Sequence, residues 1–152
     1  MSRDGEVLGP ERVADRLAIA DLVTAYAYAV DDRDWVRWER LFLPDAHIDY
    51  TSAGGIAGDL DTQVAWLAEA LAQFPATQHM VANIGITFID GDHATVEAMF
   101  HNPMVMPDKS AWVTGGWYHH DVARTPDGWR SVRLREESAY FSGMPTDLDR
   151  PE

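Results

Sequence analysis

His79 and Asp31 are, by type, two of the residues in this chain that could move protons. Histidine is the side chain whose ordinary pKa lies nearest neutrality, and a carboxylate bonded to one ring nitrogen selects the tautomer and stabilises the imidazolium. Asp31 and Asp32 stand where a helical pattern finishes. A carboxylate there opposes the helix macrodipole, at a cost of about 0.3–1 kcal/mol. Asp31 falls at the edge of the apolar stripe of that helix, where a pocket wall could lie, and Asp32 points further away. By type alone, both aspartates are as readily solvated turn residues.

His79 sits in Thr77-Gln78-His79-Met80-Val81-Ala82-Asn83. Strand alternation puts His79, Val81, Asn83 and Gly85 on one face and the more apolar Met80, Ala82, Ile84 and Ile86 on the other. The His79 face is therefore mixed, as a polar pocket wall would be. A strand histidine is more commonly structural, and spacing alone does not pair positions 31 and 79.

Other polar candidates are spread over the C-terminal half. Alternation sends Tyr118 and His120 to one face, with His119 opposite; His101 and Asn102 precede Pro103. His101, His119, His120 and Asp121 could in type supply a two-histidine, one-carboxylate metal set. Adjacent strand histidines point to opposite faces, so no metal site is expected. Arg133 and Arg135 face one way and are read as cross-strand partners of acids such as Glu97. His93 follows a turn and is expected to be exposed, and His47 is expected at the surface or an interface.

The elements that must position these residues follow from periodicity. Ile19, Leu22, Val23, Tyr26 and Val30 make one apolar stripe, which predicts a helix from Glu11 to about Val30. Asp34 can cap a second, shorter helix carrying Trp35, Trp38, Leu41 and Phe42, stopped by Pro44. A short strand, residues 46–50, precedes a third helix from about Asp61 to Gln73. The remainder reads as strands: Thr77 to Ile89, Ala94 to His101, Ala111 to Ala123 and Trp129 to Phe141, with turns at Asp90-Gly91-Asp92 and Thr125-Pro126-Asp127-Gly128. Pro103 is expected to end or bulge its strand. Helices followed by an antiparallel meander imply an α+β domain over residues 11–143, with flexible tails at 1–10 and 144–152. A curved sheet under helices leaves a concave pocket.

Composition narrows the function classes. With 25 acidic and 12 basic residues the formal charge is −13, which repels phosphate backbones and argues against a nucleic-acid partner. No stretch approaches the roughly 18 apolar residues of a membrane span, and the polar N-terminus lacks a signal-peptide core. The absence of cysteine excludes disulfides and thiolate metal sites and fits a cytoplasmic setting. Six tryptophans, with Met99, Met104 and Met106, suit an aromatic, adaptable cavity for a hydrophobic molecule.

The segments Tyr26-Ala27-Tyr28-Ala29-Val30-Asp31-Asp32-Arg33-Asp34-Trp35, Leu41-Phe42-Leu43-Pro44-Asp45-Ala46, Ile48-Asp49-Tyr50 and Thr77-Gln78-His79 resemble the SnoaL-like branch of the nuclear transport factor 2-like superfamily. The resemblance runs through residues 15–141 and is greatest to proteins of the scytalone dehydratase type, then the bile acid 7α-dehydratase type and hexachlorocyclohexane dehydrochlorinase. It implies a cone-shaped α+β barrel, a strongly curved antiparallel sheet covered by three helices from the N-terminal half and enclosing a pocket. It implies cofactor-independent lyase chemistry of the dehydratase type on a small hydrophobic cyclic, polyketide or steroid-like substrate. His79 would be the base, Asp31 its orienting carboxylate, and Tyr50 a hydrogen bond to a substrate oxygen or a water. Tyr28, His101, Asn102, Tyr118 and His120 would contact substrate. The same dyad could serve an isomerase or aldol-type cyclase, and a non-catalytic binding module is the reading of a different class. A homodimer or homotrimer is implied. Two positions depart from the dehydratase pattern: Val30 stands where a tyrosine precedes the aspartate, and Met104 near the place of a second histidine.

Overall fold

The computed structural model describes residues 8–148. Helix α1 runs Pro10–Asp31, opened by a proline whose missing N–H is not needed there, and it buries the expected stripe of Ile19, Leu22, Val23, Tyr26 and Val30. Helix α2, Trp35–Glu39, is capped by the Asp34 carboxylate, which accepts the Arg37 N–H at 2.9 Å. It ends well before Pro44. That proline lies inside β1, Phe42–Asp49, where the ladder is irregular between Phe42 and His47. After a 3₁₀ turn (Thr51–Ala53) and the two-residue β2 (Ala57–Gly58), α3 spans Leu60–Ala72, capped by Asp59.

The rest of the described chain is sheet: β3 (Ala76–Thr77), β4 (Met80–Phe88), β5 (His93–Val105), β6 (Ala111–Thr125) and β7 (Gly128–Ser142). The order is β2-β1-β7-β6-β5-β3, with β4 also paired to β5. The pairs are antiparallel except β1–β7, which is parallel, so the sheet is mixed rather than wholly antiparallel. It curls into a half-barrel closed by the three helices, an α+β cone of the nuclear transport factor 2-like kind.

The single long strand expected from Thr77 is two strands. β3 and β4 pair with successive parts of β5, and Gln78 and His79 occupy the break between them. β4 then carries a bulge between Ala82 and Gly85, where Asn83 has φ 49°. One extra residue reverses the phase of a strand. Val81 faces inward before the bulge, whereas Ile84, Ile86 and Phe88 face inward after it, so the two faces predicted by simple alternation hold only as far as Ala82. β5 likewise continues through Pro103, whose carbonyl accepts the Gln78 N–H at 3.0 Å.

Two apolar clusters fill the cone. One joins Ile19, Leu22 and Val23 of α1 to Ile86, Val96 and Val122 of the sheet. The other, around Trp38, Phe42, Ile48, Phe100 and Leu134, borders a cavity. The expected C-terminal tail is part of this packing: Met144 and Leu148 lie against the second cluster. The expected N-terminal tail is helical from Pro10; residues 1–7 and 149–152 lie outside the described residues. Among the described residues no helix is long and apolar enough to cross a membrane.

Candidate active site

Asp31 is the last residue of α1, and the chain reverses just past it through Arg33, at φ 56°. Arg33 holds the corner: its Nη1 donates to the carbonyls of Val30 and Asp31 and to Thr77 Oγ1, and its Nη2 reaches the carbonyls of Leu71 and Phe74. One guanidinium thus ties the end of α1 to the end of α3 and to β3. Thr77 Oγ1, receiving from Arg33, donates to Asp31 Oδ1 at 2.8 Å. The break after β3 then turns His79 back onto the same carboxylate. Its backbone N–H donates to Oδ2 at 2.8 Å and its ring Nδ1 lies 2.7 Å from Oδ1.

Burial pushes the Asp31 carboxyl up, but the His79 side-chain and backbone hydrogen bonds and the Thr77 hydroxyl outweigh it and hold it below the ordinary aspartate value. Asp31 is therefore an acceptor, and His79 Nδ1 must carry the proton between them. His79 lines the cavity whereas Asp31 does not, so the Nδ1 edge of the ring meets the carboxylate and the residue carries the pair to the cavity wall.

The cavity has a volume of about 100 Å³. Its walls come from Tyr26 and Val30 of α1, Trp66 and Leu71 of α3, the inner face of the sheet, and Met144 and Leu148. Tyr50, at the end of β1, stacks on Trp66 and shares a 2.8 Å hydrogen bond with the Tyr26 hydroxyl. Tyr118 accepts from Asn102 Nδ2 at 2.9 Å and packs edge-on to Tyr26. Burial pushes all three tyrosine hydroxyls well above their ordinary value, so they are neutral donors. Among the described residues no lysine or arginine lines the cavity.

Of the residues expected at the site, His79, Tyr50, Asn102 and Tyr118 line this cavity, and Asp31 backs it. Three do not. Tyr28 is 59% exposed because it lies two residues from Tyr26, about 200° round the helix, where it faces Arg37. His101 points to the outer face of β5, opposite its neighbour Asn102, and bonds the Tyr140 hydroxyl at 2.9 Å. His120 faces inward but sits behind Tyr26, bonded to Ser131 Oγ at 3.0 Å, and burial pushes it down to about 3. His119 faces outward to Glu137 at 2.8 Å, and among the described residues no cluster could hold a metal. Arg133 pairs with Asp121 and Arg135 with Glu137. Met99 is exposed, while Met104 lines the cavity.

Sequence reasoning missed Arg33 and Glu136. The second had a visible signal: if Arg133 and Arg135 face outward, Leu134 and Glu136 must face inward, and Glu136 does line the cavity.

The SnoaL-like domain model matches residues 11–135. The chain belongs to the SnoaL-like domain family. An uncharacterised protein of Mycobacterium tuberculosis is 39% identical over 143 residues, covering 93% of this chain and 96% of the relative. Among solved structures, a Novosphingobium aromaticivorans protein provisionally assigned as an aromatic ring hydroxylase is 30% identical with a TM-score of 0.80, covering 87% of this chain and 94% of that one. A protein of the same organism provisionally assigned as a scytalone dehydratase has TM-score 0.80 at 19% identity, covering 92% and 94%. A hexachlorocyclohexane dehydrochlorinase of Novosphingobium barchaimii has TM-score 0.77 at 18% identity, covering 93% and 97%. The last two likenesses establish the fold.

Proposed function

We propose that the protein is a cofactor-independent lyase of the dehydratase type, in which His79 removes a proton from carbon and a leaving group departs from the neighbouring carbon. The observation that carries this reading is the 2.7 Å contact of His79 Nδ1 with an ionised Asp31, which leaves Nε2 as the base of a residue on the wall of an apolar cavity. When Nε2 takes the proton, the imidazolium is stabilised by a carboxylate already in hydrogen-bond contact, with no reorganisation needed at the moment of reaction. Tyr50, a neutral donor in the same cavity, polarises a substrate carbonyl and so acidifies the carbon beside it. Structural relatives bear dehydratase and dehydrochlorinase names, which denote eliminations, and the hydroxylase-named relative suits a ring-shaped substrate.

A small cyclic β-hydroxy ketone tests the reading. With 3-hydroxycyclohexanone, the protein is expected to release water and form the conjugated enone, followed by its ultraviolet absorbance and its mass. His79→Gln and Asp31→Asn are each expected to lower that rate by on the order of 10²–10⁴-fold. No enone from the native protein, or full activity in either variant, contradicts it.

A further inference from the structure

The dyad leaves one wall of the cavity unused. Asn102 on β5 lies in register with Thr114 on β6, and Met104 with Trp112. Asn102, Thr114 and Trp112 all line the cavity and are buried, and among the described residues Asn102 Oδ1, Thr114 Oγ1 and Trp112 Nε1 have no hydrogen-bond partner. Buried polar atoms are almost always paired, so three unpaired ones on one wall mark a surface shaped for a molecule that carries oxygen.

Glu136 completes that wall from β7. It is 8% exposed, and among the described residues its carboxyl has a single hydrogen bond, from Ser138 Oγ at 3.3 Å. The groups that face it are Tyr26 from α1, Tyr50 from the end of β1 and Tyr118, its register partner on β6, with His79 lining the same cavity. His120, further along β6, is neutral at ordinary pH, and Arg135 and Glu137 alternate onto the outer face. Among the described residues no lysine or arginine compensates a negative charge there. Burial accordingly pushes the Glu136 carboxyl up to about 7, only partly offset by Ser138.

We propose that Glu136, with Asn102, Thr114 and Trp112, forms an oxygen-binding subsite for a neutral ketone or alcohol of about one ring, in which Glu136, Thr114 and Trp112 donate to that oxygen and Asn102 Oδ1 accepts from an alcohol hydroxyl. The size follows from the cavity, whose 100 Å³ compares with roughly 150 Å³ for a cavity that takes benzene. The neutrality follows from the lining: among the described residues it offers an anion a buried carboxyl and no lysine or arginine. The proton-transfer step rests on the lyase reading; the binding does not. In that step His79 Nε2 takes the proton from carbon and the C–H electrons become the new C=C bond. The C–O bond breaks with its electrons on oxygen, which leaves as water with the Glu136 proton. The imidazolium then loses a proton to solvent and the glutamate regains one.

The test is binding, followed by NMR shift titration of the full chain with 2-cyclohexenone and with benzoate as probes. The native protein is expected to bind cyclohexenone at about pH 5.5 and to lose roughly tenfold or more of that affinity by about pH 8.5. Glu136→Gln, whose amide donates at every pH, keeps the affinity across this range. Thr114→Val weakens it several-fold without moving the pH profile. Benzoate binds weakly throughout. A flat native profile, a Glu136→Gln profile that still falls with pH, benzoate binding as well as the ketone, or binding of neither probe overturns the subsite. No turnover is read, so failure here is separate from failure of the lyase reading.

Discussion

Asp31 grips His79 at two points, the ring Nδ1 at 2.7 Å through one carboxylate oxygen and the backbone N–H at 2.8 Å through the other. The backbone bond sets where the residue sits, and the ring bond sets which nitrogen is free. With Thr77 also donating to Oδ1, the carboxylate meets three donors.

Asp31→Asn places an amide N–H₂ where an acceptor is required. The expected cost is about 1–3 kcal/mol of stability near neutral pH, measured by urea denaturation, with a reversed His79 tautomer visible in its ¹⁵N shifts. Because the Asp31 carboxyl is held below its ordinary value, the native advantage over the variant is present above that value and shrinks as pH falls through the folded one.

Glu136→Gln has the opposite sign. The native Glu136 carboxyl binds its proton more tightly than the unfolded chain does, so the native fold loses stability as pH rises from 4.5 through about 7. The variant is expected to be more stable than the native protein by up to about 3 kcal/mol at about pH 8.5, and level with it below pH 4.5. His120 titrates alike in both proteins, so the difference between their thermal midpoints isolates Glu136.

Gly116→Ala tests how that glutamate is placed. β6 and β7 slip register at Gly115 and Gly116, and a Cβ on Gly116 would run into the Glu137 carbonyl, next to Glu136. The variant is expected to lose about 1–3 kcal/mol and to blur the Glu136-linked pH dependence. Gly91→Ala, where a Cβ meets nothing within 4 Å, is the control and should be nearly neutral.

What the sequence made legible was whatever depends on period and caps. The α1 stripe from Ile19 to Val30 and the Asp34 cap are local patterns, and the structure places both as read. The bulge at Asn83 is not a local pattern, because it arises where β4 must follow the curl of β5, and it displaced the face assignment beyond Ala82. Tyr26 and Tyr28 are identical in type, and only helix phase separates the one in the cavity from the one in solvent. Glu136 was visible in strand phase but not in composition, since a carboxyl facing a core contradicts what a charged residue ordinarily does. Met144 and Leu148 follow the last strand in a segment that reads as tail, and only tertiary packing reveals them as cavity wall.

The central claim is that His79 Nε2 removes a carbon-bound proton, and its most direct measurement needs no leaving group. In deuterated water, ¹H NMR follows loss of the α-proton signals of cyclohexanone. The native protein is expected to exchange them, and His79→Gln to do so on the order of 10²–10⁴-fold more slowly with its fold intact. Exchange at the native rate in that variant would contradict the account.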